Sequence, residues 1–289
     1  MDKYSDIVSM WRGWGIASPE DLDYRLHSFR ILFAYNSGRI ENPEVTYNDT
    51  REIFENGRIV GFTGSPRSVF EQQNQKLCYE YLKPLIVARA PLNAELVLET
   101  HAALTNGTYD EARYILRGER PGTFKKHDYV TGRAEVGSPP EQVEADISEL
   151  LEEIGQFRGK DTLLAAAYFH AGFEYIHPFA DGNGRVGRTL MNYFLLTHNH
   201  PPLIIYDKHK SAYYNALEQY DMNEEISPLR DFLQCETVST WEKTLERETQ
   251  RQVGTERINL RKRTEDTKAL IAQQKQIKPG ALTKPRDRE

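Results

Sequence analysis

Twelve consecutive residues, HPFADGNGRVGR at positions 177–188, combine side chains that could together act on a bound phosphate compound. His177 can accept a proton from a hydroxyl near neutral pH, because the pKa of a free imidazole is about 6.5. Asp181 directly precedes a glycine-rich turn, and a carboxylate beside phosphate groups is a ligand that Mg²⁺ prefers. These two residues predict a site that activates a hydroxyl beside a magnesium nucleotide.

The second half of the motif predicts where the phosphates would bind. Gly182 and Gly184 flank Asn183 and allow the backbone to approach a ligand closely, since glycine has no Cβ. A helix that begins here would present unpaired N–H groups and the positive end of its dipole to an anion. Arg185 and Arg188 lie three residues apart, and two guanidinium groups suit a polyphosphate. Each type alone has a simpler explanation, such as a plain turn or a solvated arginine; only the joint pattern favours the phosphate site.

Two apolar segments must position this motif. The segment TLLAAAYFHAGFEYI follows Asp161 and is apolar nearly all round, which is typical of a buried helix. A second apolar segment, TLMNYFLLTH, ends before Pro201. We expect the motif to form a tight loop between these two core helices, anchored by a buried Phe179. Arg188 is expected to be the most exposed cation of the motif.

Capping residues and apolar spacing predict the other elements. A short helical segment is expected after Asp49, and a β-hairpin is expected over residues 113–132 around Pro121 and Gly122. The charged tail is expected to form a solvated helix as far as Gly254 and another beyond it, with disorder from Lys278. Further helices are predicted from Asp21 to about Gly38, from Ser65 to Val87, from Asn93 to near Gly107 and from Glu141 to Phe157.

Composition narrows the class of protein. The chain has 289 residues, and 39% of them are hydrophobic. Its formal net charge is −6, and because a nucleic-acid-binding surface is normally basic, a nucleic-acid partner is not expected. It has only two cysteines, Cys78 and Cys235, far apart in the chain, which argues against a disulfide scaffold and favours the cytoplasm. The first residues lack the continuous apolar stretch of a signal peptide, and no apolar run is long enough to predict a membrane span.

The complete pattern from His177 to Arg188 resembles the signature of the Fic family at every fixed position. The resemblance covers roughly residues 20–235 and implies a mainly α fold, a Fic-type helical domain with a small β-hairpin flap over the active site. We expect three regions: a helical region with an inhibitory motif over 1–60, a Fic core over 61–235 and a charged helical tail over 236–289. The family activity is transfer of AMP from ATP to a Ser, Thr or Tyr hydroxyl of a target protein and of the enzyme itself. ATP and Mg²⁺ would be needed. The sequence leaves the oligomeric state open, and a homodimer is one possibility because family members often dimerise.

The resemblance also assigns roles to individual residues. His177 would be the catalytic base, Asp181 would hold Mg²⁺, and Arg188 would contact the γ-phosphate. The flap tip would lie over the site and align the target segment by strand pairing. The anion hole would comprise Gly182, Asn183 and Gly184, with Arg185 on the phosphates. The flap tip would comprise Gly122, Thr123, Phe124 and Lys125. The adenine region would include Tyr214 and Asp221, whereas Tyr213 is equally explained by core packing.

A second motif, Ser37-Gly38-Arg39-Ile40-Glu41-Asn42, resembles the inhibitory motif of Fic proteins that carry their inhibitor N-terminal to the signature. Ser37 and Glu41 are four residues apart, so both can face the same way from one helical turn. A carboxylate that reaches Arg188 would compete with the γ-phosphate. The alternative is an ordinary solvated helix end.

Other activities of the same site stay open at this point. Some family members remove AMP from a modified protein with the same residues, and others transfer phosphocholine or phosphate. The phosphate-transferring branch has an altered anion loop, whereas Gly182-Asn183-Gly184 is intact here. A non-catalytic nucleotide-binding regulatory module is the alternative from a different class of protein, and the full set of motif residues argues against it.

Overall fold

The computed structural model describes residues 2–59, 61–130 and 137–276 of the chain. A first compact unit ends at Trp241, and a second begins at Glu242. The described residues form ten α-helices: α1 (Lys3–Gly13), α2 (Pro19–Glu41), α3 (Tyr47–Asn56), α4 (Pro66–Val87), α5 (Ala94–Thr105), α6 (Val143–Gly155), α7 (Thr162–Ile176), α8 (Asn183–Thr197), α9 (Lys210–Asn223) and α10 (Ser227–Gln276).

Helices α7 and α8 form the centre of the first unit and pack against each other along their lengths. Phe169 and Phe173 of α7 and Val186 of α8 are fully buried between the neighbouring helices. Helix α6 covers α7, α5 packs on α8 and α4, and α2 packs on α4, α3 and α8. The two apolar segments of the sequence therefore form the core pair that was predicted, and the motif connects them.

Helix α2 is longer than the sequence pattern predicts. Ser18 caps its first turn by accepting from the Asp21 backbone N–H, and Asp21 accepts in return from the Ser18 N–H. Pro19 occupies the first turn, where its missing N–H costs nothing. At the other end, the helix continues past Gly38 to Glu41, so the last turn carries the second motif to the edge of α8.

The β-hairpin predicted over residues 113–132 is wrong in the part that the structure describes, because residues 113–130 contain no strand. The segment starts with a π-helical turn, Ala112–Leu116, and then bends at Gly118 and Gly122, which have φ of +65° and +78°. The end of the predicted hairpin, residues 131–132, lies outside the described residues.

Three backbone donors of this segment bond to acceptors that do not belong to a strand ladder. The Gly122 N–H donates to His101 Nδ1 at 2.8 Å, and the Lys125 N–H donates to the Pro178 carbonyl at 2.9 Å. The Lys126 N–H donates to the buried carboxylate of Glu119 at 3.0 Å. The turn residues Pro121 and Gly122 favoured a strand pair, but these acceptors determine the local conformation instead.

The predicted break at Gly254 is also wrong, since α10 continues through this position. One glycine costs a helix only about 1 kcal/mol relative to alanine, so the long charged segment tolerates it. The disorder predicted from Lys278 falls outside the described residues. Within the described ranges, no helix is both long enough and apolar enough to cross a membrane.

Candidate active site

The motif loop begins and ends in left-handed backbone conformations. His177 caps the carboxyl end of α7 with φ of +50°, and its N–H donates to the Phe173 carbonyl at 3.0 Å. Gly182 has φ of +82° and directly precedes the first residue of α8. A side chain at Gly182 would also meet Thr105, since a Cβ there would lie 2.7 Å from the Thr105 methyl group. The sharp turn that the glycines predict is therefore present.

Asn183 clamps the loop through its side chain. Its Oδ1 accepts from the Phe179 N–H at 2.8 Å, and its Nδ2 donates to the Phe179 carbonyl at 2.7 Å. The ring of Phe179 is fully buried and stacks on His101 with centroids 3.7 Å apart. The Asn183 side chain thus holds the loop. Because both polar atoms of its amide bond to Phe179, only the backbone groups at this position could bind an anion.

The amino end of α8 is suited to bind an anion. The first turn of a helix leaves its N–H groups without intrahelical partners, and no side chain caps this one. Gly184 lies in this turn beside Glu41 and Arg188: a Cβ on it would come within 2.6 Å of Glu41 Oε1 and 2.7 Å of an Arg188 nitrogen. A phosphate approaching these N–H groups would therefore meet the Glu41 carboxylate.

The structure brings Ser37 and Glu41 to the two arginines of the motif. Arg188 donates to Glu41 Oε1 at 2.8 Å, and its Nε donates to Ser37 Oγ at 3.0 Å. Arg185 donates from Nε to Glu41 Oε2 at 3.1 Å. One carboxylate therefore engages both guanidinium groups, while the Glu41 side chain keeps 30% of its surface exposed to the cleft.

The two arginines of the motif are buried and need a compensating negative charge. Arg188 was expected to be the most exposed cation of the motif, but its side chain is only 2% exposed, because α2 packs against α8. Burial alone raises the pKa of Glu41, yet the charges of Arg185 and Arg188 outweigh it and hold that pKa below the usual value. Glu41 is ionised at neutral pH and supplies the negative charge that the buried arginines need.

Asp181 also lies on the wall of the cleft, and its two oxygens face cations. Its Oδ2 accepts from Arg67 at 2.5 Å, and its Oδ1 lies 3.8 Å from an Arg185 nitrogen. Among the described residues, no group of three or more His, Cys, Asp or Glu side chains could hold a metal alone. Mg²⁺ needs no such cage, since one carboxylate, substrate phosphates and water suffice. Asp181 fits this type of site.

His177 is neutral at physiological pH. Burial and then the Lys125 charge lower the pKa of its imidazole, the Glu174 backbone and the charges of Glu41 and Asp181 oppose them, and the net pKa is about 4. A neutral imidazole carries a lone pair on one of its two ring nitrogens, and that nitrogen can accept a proton. A lowered pKa keeps the base form present at every pH above about 4.

A cleft of about 590 Å³ joins these groups. His177, Asp181 and Glu41 line it, together with Tyr214 and Asp221 of α9. Tyr213 points away into the core, where its hydroxyl hydrogen-bonds the His170 ring at 2.7 Å. Of the two neighbouring tyrosines, only Tyr214 is therefore available to a ligand in the cleft.

The predicted flap tip packs on the back of the motif loop. Phe124 stacks on Phe179 with ring centroids 5.7 Å apart, and Lys125 is buried. Gly122 approaches α5 so closely that a Cβ would lie 3.0 Å from the Ala102 side chain. Thr123 closes the turn by donating from its hydroxyl to the Arg120 carbonyl at 3.0 Å. Phe124 and the Lys125 N–H therefore contact the motif loop, and a strand that could pair with a target is not seen in residues 113–130.

Sequence reasoning missed three charged residues of the site. Arg67 and Glu71 lie one turn apart on α4 and contact Asp181 and Arg185. Glu174 lines the cleft, where burial and the charges of Glu41 and Asp221 raise its pKa to about 7 against the opposing effect of Arg188. The (i, i+4) spacing of Arg67 and Glu71 was visible, but it equally fits a solvated surface pair.

The Asn183 clamp gives a testable expectation for stability. Asn183→Ala leaves the buried N–H and carbonyl of Phe179 without partners, and each unpaired group costs about 1–3 kcal/mol. We expect a clear fall in the free energy of unfolding, measured by urea denaturation. Asn56→Ala, which changes an exposed amide on α3, is the control and should have little effect. Equal stability of the two variants would contradict the clamp.

Comparisons with known proteins agree with this geometry. Residues 91–195 match the family model named Fic, for the Fic/DOC family. The chain is 28% identical over 197 residues to proteins named Protein adenylyltransferase Fic from Drosophila persimilis and Drosophila melanogaster. Each match covers 64% of this chain, and 35% and 36% of the respective relatives. Residues 91–195 therefore resemble the Fic/DOC family, and the chain spans about a third of the length of these curated relatives.

Solved structures share the fold. A Fic domain containing signaling protein from Bacteroides thetaiotaomicron superposes with a TM-score of 0.72 at 23% identity, over 85% of this chain and 96% of that one. Fic-1 from C. elegans, residues 134–508, superposes with a TM-score of 0.68 at 19% identity, over 88% of this chain and 72% of that one. The helical architecture around the cleft is a Fic fold.

Proposed function

We propose that this chain is a protein adenylyltransferase that transfers AMP from ATP to a serine, threonine or tyrosine hydroxyl of a target protein and of itself. The observation that carries the proposal is the placement of His177, Asp181 and the amino end of α8 on one cleft. The relatives named protein adenylyltransferase support the same activity. Because the chain spans about a third of those relatives, the activity of this chain needs its own test.

In the proposed reaction, the target hydroxyl oxygen forms a bond to the α-phosphorus of ATP. The bond from that phosphorus to the oxygen bridging to the β-phosphate breaks, and pyrophosphate leaves. His177 takes the hydroxyl proton on its free ring nitrogen, which the lowered pKa keeps unprotonated. General-base catalysis of this kind contributes about 10²–10⁴ in rate.

The same cleft can position the nucleotide. Backbone N–H groups at Gly184 and Arg185 would bind phosphate oxygens, and Arg188 would bind the γ-phosphate. Mg²⁺, held by Asp181 and phosphate oxygens, would neutralise charge on the triphosphate. Tyr214 and Asp221, which line the same cleft, would contact the adenine.

Glu41 would restrain this reaction. Its carboxylate engages both Arg185 and Arg188, the guanidinium groups proposed for phosphate binding. Its negative charge would also repel the γ-phosphate, so ATP could bind only with its α-phosphorus misaligned. Ser37 holds Arg188 in the same arrangement. The inhibitory segment is part of this chain and precedes the motif.

The proposal includes a location in the cytoplasm and the possibility of a homodimer. Cys78 is buried and Cys235 is exposed, and both are free thiols, which agrees with a reducing cytoplasm. The homodimer rests on the family resemblance alone.

The position of the label in ATP tests the activity. A cell lysate is incubated with the Glu41→Gly variant and Mg²⁺, once with ATP labelled at the α-phosphate and once with ATP labelled at the γ-phosphate. Adenylyl transfer places label on protein only from the α-position. Label from the γ-position alone would identify phosphate transfer, and no label from either would contradict the proposal.

The lowered pKa of His177 predicts the pH dependence of transfer. Its base form is lost only as the pH falls through about 4, so protonation of this group does not limit transfer between about pH 6 and about pH 8. Glu174, with a pKa of about 7, is the group in the cleft that could titrate in this range. We expect a flat rate profile for Glu41→Gly/Glu174→Gln, measured as initial rates of labelling. A loss of rate centred near pH 6.5 in this variant would contradict the neutral state assigned to His177.

A further inference from the structure

We propose that Arg67 is a positioning residue for the metal-binding carboxylate: it fixes one oxygen of Asp181 so that the other is presented to the divalent cation of the nucleotide. The inference rests on the proposed function, because the cation is the one that would accompany ATP. It concerns a residue of α4, far in sequence from the motif.

The contact geometry separates the two carboxylate oxygens. Oδ2 of Asp181 accepts from an Arg67 terminal nitrogen at 2.5 Å, which is a short charge-assisted hydrogen bond. Oδ1 lies 3.8 Å from the nearest Arg185 nitrogen, a distance too long for a hydrogen bond. Asp181 lines the cleft and its side chain is 15% exposed, so Oδ1 is the oxygen left for a ligand.

Arg67 is itself held in place. Its Nε donates to Glu71 Oε1 at 2.9 Å, one turn along α4, and the Glu71 side chain is 7% exposed. The same Glu71 oxygen lies 3.3 Å from an Arg185 nitrogen. Two carboxylates and two guanidinium groups therefore form a connected cluster whose formal charges balance.

This balance favours positioning over repulsion. If the charge of Arg67 were not compensated, it would repel a divalent cation bound at Asp181. Removing Arg67 would then strengthen metal binding. Here Glu71 compensates the charge of Arg67, so the dominant effect of Arg67 is to restrict the rotation of the Asp181 carboxylate. Residues that orient a metal ligand in this way typically contribute about 10–100-fold to metal affinity.

The test measures Mn²⁺ binding by the enhancement of water-proton relaxation, in the presence of an ATP analogue that cannot be cleaved between the α- and β-phosphates. We expect Arg67→Ala to raise the half-saturating Mn²⁺ concentration about tenfold. Arg67→Lys, which keeps a donor and the charge, should restore part of the affinity. Arg51→Ala, which breaks an exposed ion pair with Glu55 on α3, should match the wild type.

Three further outcomes would count against the inference in distinguishable ways. An unchanged or lower half-saturating Mn²⁺ concentration in Arg67→Ala, with normal binding of the analogue, overturns the positioning role alone. A melting temperature that falls together with Mn²⁺ affinity in Arg67→Ala, without rescue by Arg67→Lys, marks a folding defect and also overturns it. If no variant binds the analogue at all, the proposed function fails and this inference fails with it.

Discussion

Replacing His177 by alanine is expected to reduce AMP transfer by about 10²–10⁴-fold while leaving nucleotide binding nearly intact. The imidazole lines the same cleft as Asp181, and its lowered pKa keeps it in the neutral form that can accept a proton. Its proposed contact is with the incoming hydroxyl, not with ATP. The effect of His177→Ala is best measured in the Glu41→Gly variant, because that parent is expected to be active.

Two controls make the His177 result specific. His27→Ala changes an exposed histidine of α2 and should transfer AMP at the rate of its parent. Calorimetric titration with Mg-ATP should give similar dissociation constants for His177→Ala and its parent. Near-normal transfer by His177→Ala would remove the assignment of this residue as the base, whereas joint loss of transfer and binding would point to a collapsed loop.

Removing the carboxylate of Glu41 is expected to raise AMP transfer by about 10²-fold, because misplacement of reacting atoms by about 1 Å can cost that much in rate. The carboxylate accepts from Arg188 at 2.8 Å and from Arg185 at 3.1 Å, so its loss frees both guanidinium groups for phosphate. Glu41 is the last residue of α2, so a glycine there disturbs little of the helix. Initial rates of labelling from ATP measure the change.

Matched variants separate charge from packing at this position. Glu41→Gln keeps the shape and removes the charge, and we expect it to gain part of the activity. Glu20→Gly, on an exposed face of the same helix, should have no effect on transfer. Arg188→Ala should not gain activity, because the same arginine is proposed to bind the γ-phosphate. Equal rates for Glu41→Gly and wild type would mean that the contact seen in the structure does not restrain the reaction.

The parts of the site that follow from local sequence were predictable. Apolar periodicity identified α7 and α8, and the glycines marked a turn between them, because both signals depend only on neighbouring residues. The apolar face of α2 had to dock on the domain, and this brought Glu41 to the edge of α8. The helix end was misjudged by three residues, since Gly38 resembles a stop signal and is instead buried inside the last turn.

The rest depends on contacts between distant parts of the chain. Pro121 and Gly122 suggest the turn of a hairpin, but the N–H groups of Gly122 and Lys125 donate to His101 and Pro178. Arg188 has the spacing of a surface cation, yet it is buried because α2 closes over it. Arg67 joins the site from 114 residues away. No local pattern carries such information, since it arises only when the helices pack.

The central claim is that the site transfers AMP and that Glu41 restrains it. Intact-protein mass spectrometry after incubation with Mg-ATP tests both parts in one experiment, using wild type, Glu41→Gly and Glu41→Gly/His177→Ala. We predict that Glu41→Gly gains the mass of one or more AMP groups, that wild type gains far less, and that the double variant gains none. An unchanged mass for Glu41→Gly, with Mg-ATP binding retained, would contradict the account and would instead identify a nucleotide-binding module without transferase activity.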